Sequence, residues 1–275
     1  MNLSIPADYL RRLARLEARQ ASRRAPDLSD PLALAARLAI DLDQRQADVL
    51  TTDAAQILLL WARQTGKSTV AAILALHTAL SRPESLSLIL SPGERQSKLL
   101  FKTVMRHYAK AGHPIPADVE NKLSLELANG SEIHALPGSE ATVRGFSGVD
   151  LLIVDEASRV DDDLYNAVRP MIAVSRGRIV LLSTPFGKRG FFWREWSEGG
   201  PSWHRSKATV YDNPRIDPAW IAQERAAIGE WWFNQEHLVE FVDTDSQVFA
   251  TDLIEGALTW DVAPLFPISY VGAAA

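Results

Sequence analysis

The run Ile57-Leu58-Leu59-Leu60-Trp61-Ala62-Arg63-Gln64-Thr65-Gly66-Lys67-Ser68-Thr69-Val70 carries an apolar strand through a Gly-Lys-Ser turn into an apolar helix. Such a strand–turn–helix builds an anion cradle. Backbone N–H groups at the helix N-terminus and the lysine ammonium offset phosphate charge, and the Ser68 hydroxyl is placed to ligate Mg²⁺. The usual pattern has a further glycine five residues before Gly66, and here that place holds Trp61. The triplet alone is a weak signal, so the inference rests on the strand and helix patterns around it.

Those patterns continue along the chain. Strands at 57–61, 86–90, 149–154 and 178–183 are near-continuous apolar runs, with helices expected at 67–80 and from Gly93 to about 111. Asn129-Gly130 between apolar-rich segments 122–127 and 131–136 predicts a hairpin. A last strand at 203–210 precedes two helices, one carrying Trp231-Trp232-Phe233. Buried strands separated by helices imply an α/β fold with a mostly parallel central sheet covered by helices on both faces. Residues 1–40 are expected to form a helical arm, with an amphipathic helix over 7–20 and a second near 32–40. Residues 41–245 are expected to form the phosphate-binding domain and 246–275 a linker and the onset of a further domain.

With 47% hydrophobic residues the chain can support a large core, and no stretch approaches the length of an uncharged membrane span. It has no cysteine, so disulfides and thiolate metal sites are excluded. These features predict a soluble, intracellular protein. A net charge of −5 means that any contact with nucleic acid must come from a local patch or a ring of subunits, not from bulk attraction.

The second chemical signal is Leu151-Leu152-Ile153-Val154-Asp155-Glu156, a strand delivering two carboxylates at its C-terminal end. Asp155 suits a Mg²⁺ held through water, and Glu156 suits orientation of the water that attacks a γ-phosphate. A third is Leu181-Leu182-Ser183-Thr184-Pro185, where strand-end hydroxyls of Ser183 or Thr184 could sense that phosphate or simply satisfy backbone groups. Arg63, inside the phosphate turn, could reach a phosphate oxygen. Arg144, in a glycine-flanked loop, could reach a neighbouring subunit's nucleotide; for both, a surface ion pair is the alternative.

Together these segments resemble the ATPase domain of the large terminase subunit, the DNA-packaging motor of tailed bacteriophages and prophages, over roughly residues 40–245. Arg63-Gln64-Thr65-Gly66-Lys67-Ser68-Thr69 is similar to that family's variant phosphate loop, which often lacks the first glycine. Gln46-Ala47-Asp48-Val49-Leu50 resembles its adenine-reading glutamine motif, with Gln44 as a competing candidate. Ser183-Thr184-Pro185-Phe186-Gly187-Lys188-Arg189-Gly190 resembles its coupling motif, and Arg144-Gly145-Phe146-Ser147-Gly148 the segment supplying a trans-acting arginine.

The resemblance implies a P-loop NTPase fold of the RecA-like kind, with ATP and Mg²⁺ as cofactors. It implies a nucleotide site from Gln46, Arg63, Gln64, Thr65, Gly66, Lys67, Ser68 and Thr69, metal coordination by Ser68 and Asp155, and catalysis by Glu156 with Arg63 or Arg144. The implied partners are double-stranded DNA, a portal protein, a small terminase subunit and further copies in a pentameric ring, in the host cytoplasm without a membrane. Lys188, Arg189, Arg194 and Arg205 are candidate DNA contacts. Tyr270-Val271-Gly272 resembles the opening strand of the family's nuclease domain, but Ala273-Ala274-Ala275 stand where its metal-binding acid would come, so these residues do not support nuclease activity. The rival readings are a superfamily 2 helicase or restriction-type translocase and a nucleotide-gated binding module without turnover.

Overall fold

The computed structural model describes residues 30–137 and 145–243, with Leu253, Gly256 and Ala257. The expected helix over 7–20, Arg144 and the strand onset at Tyr270 lie outside the described residues. Internal contacts divide the chain into a unit Met1–Val242 and a short unit Asp243–Ala275, and the sheet and its helices belong to the first.

Two short helices, α1 (Pro31–Arg37) and α2 (Gln44–Thr51), lead into β1 (Gln56–Trp61), α3 (Lys67–Ser81), β2 (Leu86–Ser91) and α4 (Glu94–Lys110). Then come β3 (Ala117–Glu120), β4 (Ser124–Leu127), β5 (Glu132–Pro137), β6 (Leu151–Asp155), α5 (Asp162–Val168) and β7 (Arg178–Ser183). The series ends with α6 (Gly190–Ser197), β8 (Trp203–Ala208) and α7 (Pro218–Glu236). The strands form one eight-stranded sheet in the order β3-β4-β5-β2-β6-β7-β1-β8. From β5 to β8 all neighbours are parallel, and β4 and β3 add antiparallel at one edge.

Apolar runs become buried strands here because alternate side chains enter two different cores. Ile57, Leu59 and Trp61 pack with α3 and α4 residues such as Ile73 and Phe101, whereas Leu58 and Leu60 pack with α5 and α6 residues such as Leu164 and Phe192. Helix α3 buries ten of its fifteen residues, which explains its small and aliphatic sequence: it is enclosed rather than amphipathic. The predicted hairpin forms, with Gly130 N donating to Leu127 O at 2.8 Å and Gly130 at φ 84°. Strand β3 was not predicted. Its Asp118, Val119 and Glu120 are exposed, so it carries no apolar alternation and exists only because β4 offers it a pairing edge.

Helix α7 covers the two helices expected after β8, divided by Gly229 at φ 78° and ψ 162°. Trp203 is buried in the second core, whereas Trp220 is exposed.

Candidate nucleotide site

Parallel strands end at one edge of the sheet, so β1, β6 and β7, which are adjacent, deliver their C-terminal residues to one place. In open α/β sheets that edge is where ligands bind. After β1 the chain makes the turn Arg63–Gly66, with Gln64 at φ 61° and Gly66 at φ 91°. Thr65 Oγ1 donates to Ala62 O at 2.7 Å, Gln46 Nε2 donates to Thr65 O at 2.9 Å and Asn213 Nδ2 donates to Gln64 O at 2.9 Å. The turn is therefore held by its own hydroxyl, by α2 and by the segment before α7. Trp61 needs no replacement by glycine: it is buried, and its Nε1 donates to Ser206 Oγ of β8 at 3.0 Å.

Lys67 opens α3, whose N-cap Gly66 supplies no side-chain cap. Its ammonium donates to Trp61 O and Ala62 O at 2.7 and 2.8 Å, folded into the turn. Burial pulls its pKa down to about 8, opposed by the Glu156 and Asp155 charges. Ser68 is exposed, Thr69 is half-buried, and Ser68 lines a cleft of about 790 Å³ with Asp155 and Glu156. Asp155 ends β6 and is buried, and burial followed by the neighbouring Glu156 charge raises its pKa to about 7. Glu156 turns away from the strand in a left-handed conformation (φ 50°) with its N–H donating to Asp155 Oδ1 at 3.0 Å. One hydroxyl and two carboxylates on one cleft form an all-oxygen donor set, the chemistry Mg²⁺ prefers.

Ser183 and Thr184 are buried at the end of β7. The sequence gives no role to Ser158, yet it joins them to the acidic turn: its hydroxyl lies 2.7 Å from Ser183 Oγ and donates to Thr184 O at 2.8 Å. Its position two residues past Glu156 is the only local signal of this.

A family profile described as "Terminase large subunit, T4likevirus-type, N-terminal" matches residues 58–255. The chain belongs to the large terminase subunit family. It is 27% identical over 197 residues to the terminase large subunit of Escherichia phage T5, covering 69% of this chain and 44% of the phage protein. Against that of Thermus virus P23-45 it is 26% identical over 226 residues, covering 68% and 46%. The chain thus spans just under half the length of these relatives. The large terminase ATPase domain of Thermus phage P74-26 superposes with a TM-score of 0.68 at 22% identity, covering 76% of this chain and 97% of that one. A large terminase from a thermophilic bacteriophage, solved in complex with ADP, superposes with a TM-score of 0.61 at 12% identity, covering 73% and 54%. These likenesses establish the P-loop NTPase fold, and the family match sets aside the helicase reading.

In this terminase family member the glutamine candidates separate. Gln44 is exposed and donates to Asp48 Oδ1 at 2.7 Å. Gln46 is buried and, besides holding Thr65 O, accepts from Asp43 N at 3.1 Å. Gln46, Thr65, Asp43 and Arg215 line a cavity of about 230 Å³ beside the turn. Arg63 is in an ion pair, its Nε 2.8 Å from Glu236 Oε2.

Three DNA-contact candidates are engaged within the fold. Arg205 donates to the carbonyls of Trp196, Glu195 and Gly200 at 2.9, 2.7 and 2.7 Å, closing the C-terminal end of α6. Arg194 is paired with Asp162 at 2.7 Å, and Arg189 lies over the Phe186 ring at 4.5 Å. Among the described residues no helix is long and apolar enough to cross a membrane.

Proposed function

We propose that this chain is the ATP-hydrolysing motor domain of a viral large terminase, moving double-stranded DNA into a procapsid. The observation that carries the reading is the convergence of Lys67, Ser68, Asp155 and Glu156 at one sheet edge, three of them on one cleft. Mg·ATP would supply the scissile phosphoanhydride and the metal charge. Lys67 and the Gln64–Ser68 backbone hold phosphate, Ser68 and Asp155 take the metal, and Glu156 accepts the proton of the attacking water. Gln46, which lines the cavity of about 230 Å³ beside the turn, would read the adenine edge, and Ser183 and Thr184 would relay nucleotide state through Ser158. Arg63, or Arg144 of a neighbouring copy, offsets transition-state charge.

Related phage proteins carry the large-terminase name, and the terminase of the thermophilic phage has been solved with ADP and with ATP-gamma-S. On that basis the remaining partners are a portal protein, a small terminase subunit and a pentameric ring of this chain in the host cytoplasm.

The deciding experiment is the steady-state Mg-ATPase rate against protein concentration for the chain, Glu156→Ala and Arg144→Ala. A rate per subunit that rises with concentration and falls in both variants supports the ring motor. A flat rate that needs Glu156 and ignores Arg144 replaces it with a self-contained site, and binding without turnover leaves a nucleotide-gated module.

A further inference from the structure

Helix α4 buries Leu100, Phe101, Val104 and Tyr108 along one face. On the opposite face, at steps of three and four residues, stand Arg95, Lys98, Lys102, Arg106 and Lys110, all exposed, a spacing that lines them up along the outside of the helix. Glu94 is the one carboxylate of α4, so the helix carries five cations against one acid in a chain whose formal net charge is −5. Glu94 pairs with Lys98, but the two side chains are 59% and 44% exposed, and an exposed pair of this kind is worth little. Arg106 donates to the neutral Thr103 hydroxyl at 3.1 Å. Among the described residues no carboxylate pairs with Arg95, Lys102, Arg106 or Lys110.

Solvation alone does not call for a single sign. The outer face of α7 is served by mixed charge, Arg225 pairing with Glu230 at 2.8 Å, and like charges four residues apart destabilise a helix. The stripe therefore has a cost that a polyanion laid along it would remove. We propose that Arg95, Lys98, Lys102, Arg106 and Lys110 form a contact surface for the phosphate backbone of double-stranded DNA. The proposal deepens the DNA-packaging reading and rests on it. From Arg95 to Lys110 the helix rises about 22 Å, a length over which one DNA strand presents about six phosphates, so each cation can meet one. Such contacts read charge and not sequence, as a motor that moves any sequence requires. The surface also borders the nucleotide site: Lys102 and Arg106 line the cleft of about 790 Å³ with Ser68, Asp155 and Glu156. Phe101 and Val104 share a core with Ile73 of α3, the helix that Lys67 and Ser68 open.

Fluorescence anisotropy of a labelled duplex, without nucleotide and from about 50 to 200 mM salt, gives the affinity and the slope of log K against log salt. Four or five neutralised phosphates predict a slope of about −4. The combined variant Arg95→Gln, Lys102→Gln, Arg106→Gln keeps helix propensity; it should make the slope shallower by about 3 and weaken binding at about 100 mM salt by about a hundredfold. An equal charge loss at exposed positions elsewhere, Arg176→Gln, Lys207→Gln and Arg225→Gln, should change the slope by less than about 1. If the two variants behave alike, bulk charge and not the stripe is at work, and the proposal fails. It fails equally if the unaltered chain does not bind the duplex at about 50 mM salt. An unchanged slope with weakened self-association in sedimentation would assign the face to a contact between copies of the chain and overturn it. If the stripe variant does not fold, acetylation of the unaltered chain decides: the duplex should protect Lys98, Lys102 and Lys110 and leave Lys207 reactive, and equal protection sinks the idea. Calorimetry of the unaltered chain with Mg²⁺ and ATP-gamma-S judges the ATPase reading separately, so either can fail while the other stands.

Discussion

Gln46 and Gly66 are packed against each other across the phosphate turn: Gln46 Nε2 fills the space that a Cβ on Gly66 would need, while donating to Thr65 O at 2.9 Å. Gly66 is thus required twice, by its φ of 91° and by the amide beside it. Gly66→Ala should cost on the order of 2–4 kcal/mol, combining left-handed strain with a lost buried hydrogen bond. Gln46→Ala removes the obstacle, so the double variant should be more stable than the sum of the singles by about 1 kcal/mol or more. Thermal melts of the four chains measure this, and strict additivity would refute the contact.

Asp155 costs stability when it ionises. Burial raises its pKa to about 7, so the folded chain holds that proton more tightly than the unfolded one. Its stabilising contribution is complete below the ordinary carboxylate range near pH 4 and is lost as pH rises through about 7, each tenfold difference in proton affinity being worth about 1.4 kcal/mol. Asp155→Asn cannot ionise. Without ligand it should therefore melt above the parent at pH 8, by on the order of 4 kcal/mol in stability, and match it below pH 4, while losing Mg-dependent turnover.

His107 has the opposite sign. It is buried in α4 with no hydrogen-bond partner for Nδ1, and burial, with Arg106 and Lys110 nearby, lowers its pKa to about 4. Stability from this group is complete above about pH 6.5 and is lost as pH falls through about 4, by on the order of 3 kcal/mol. His107→Gln should flatten that acid limb in denaturation curves taken from pH 7.5 to 4. The two effects overlap between pH 4 and 7, and the two variants separate them.

Ser158 ties the acidic turn to β7 through Ser183 Oγ and Thr184 O. Ser158→Ala should cost about 1–3 kcal/mol in stability, since it leaves a buried Ser183 hydroxyl with one partner fewer. If the link also transmits nucleotide state, turnover should fall by about tenfold or more with nucleotide affinity unchanged, and a KM-against-kcat comparison distinguishes this from loss of folding alone.

The central strands were legible because each is apolar on both faces, a pattern that only a sheet enclosed by helices produces, whereas their order in the sheet came only from the structure. The proposed phosphate and metal residues stand out in sequence for a related reason: Gly66-Lys67-Ser68 and Asp155-Glu156 are contiguous, and each group sits where its own strand ends. Strand β3 was not legible, since its Asp118, Val119 and Glu120 answer to a neighbour's edge and not to a core.

By itself, then, the sequence determined the elements whose instructions are local: the turn that demands Gly66, the hairpin at Asn129-Gly130 and the carboxylates at the end of β6. Only the tertiary structure decided what lies against them. Glu236 reaches Arg63 across 173 positions, Asn213 reaches Gln64 across 149, and Ser158 meets Ser183 across 25. No periodicity or motif encodes such pairs, because a polar side chain's partner is chosen by desolvation: each of these groups, once the sheet and helices are packed, must be satisfied by whatever donor or acceptor the fold has brought within reach.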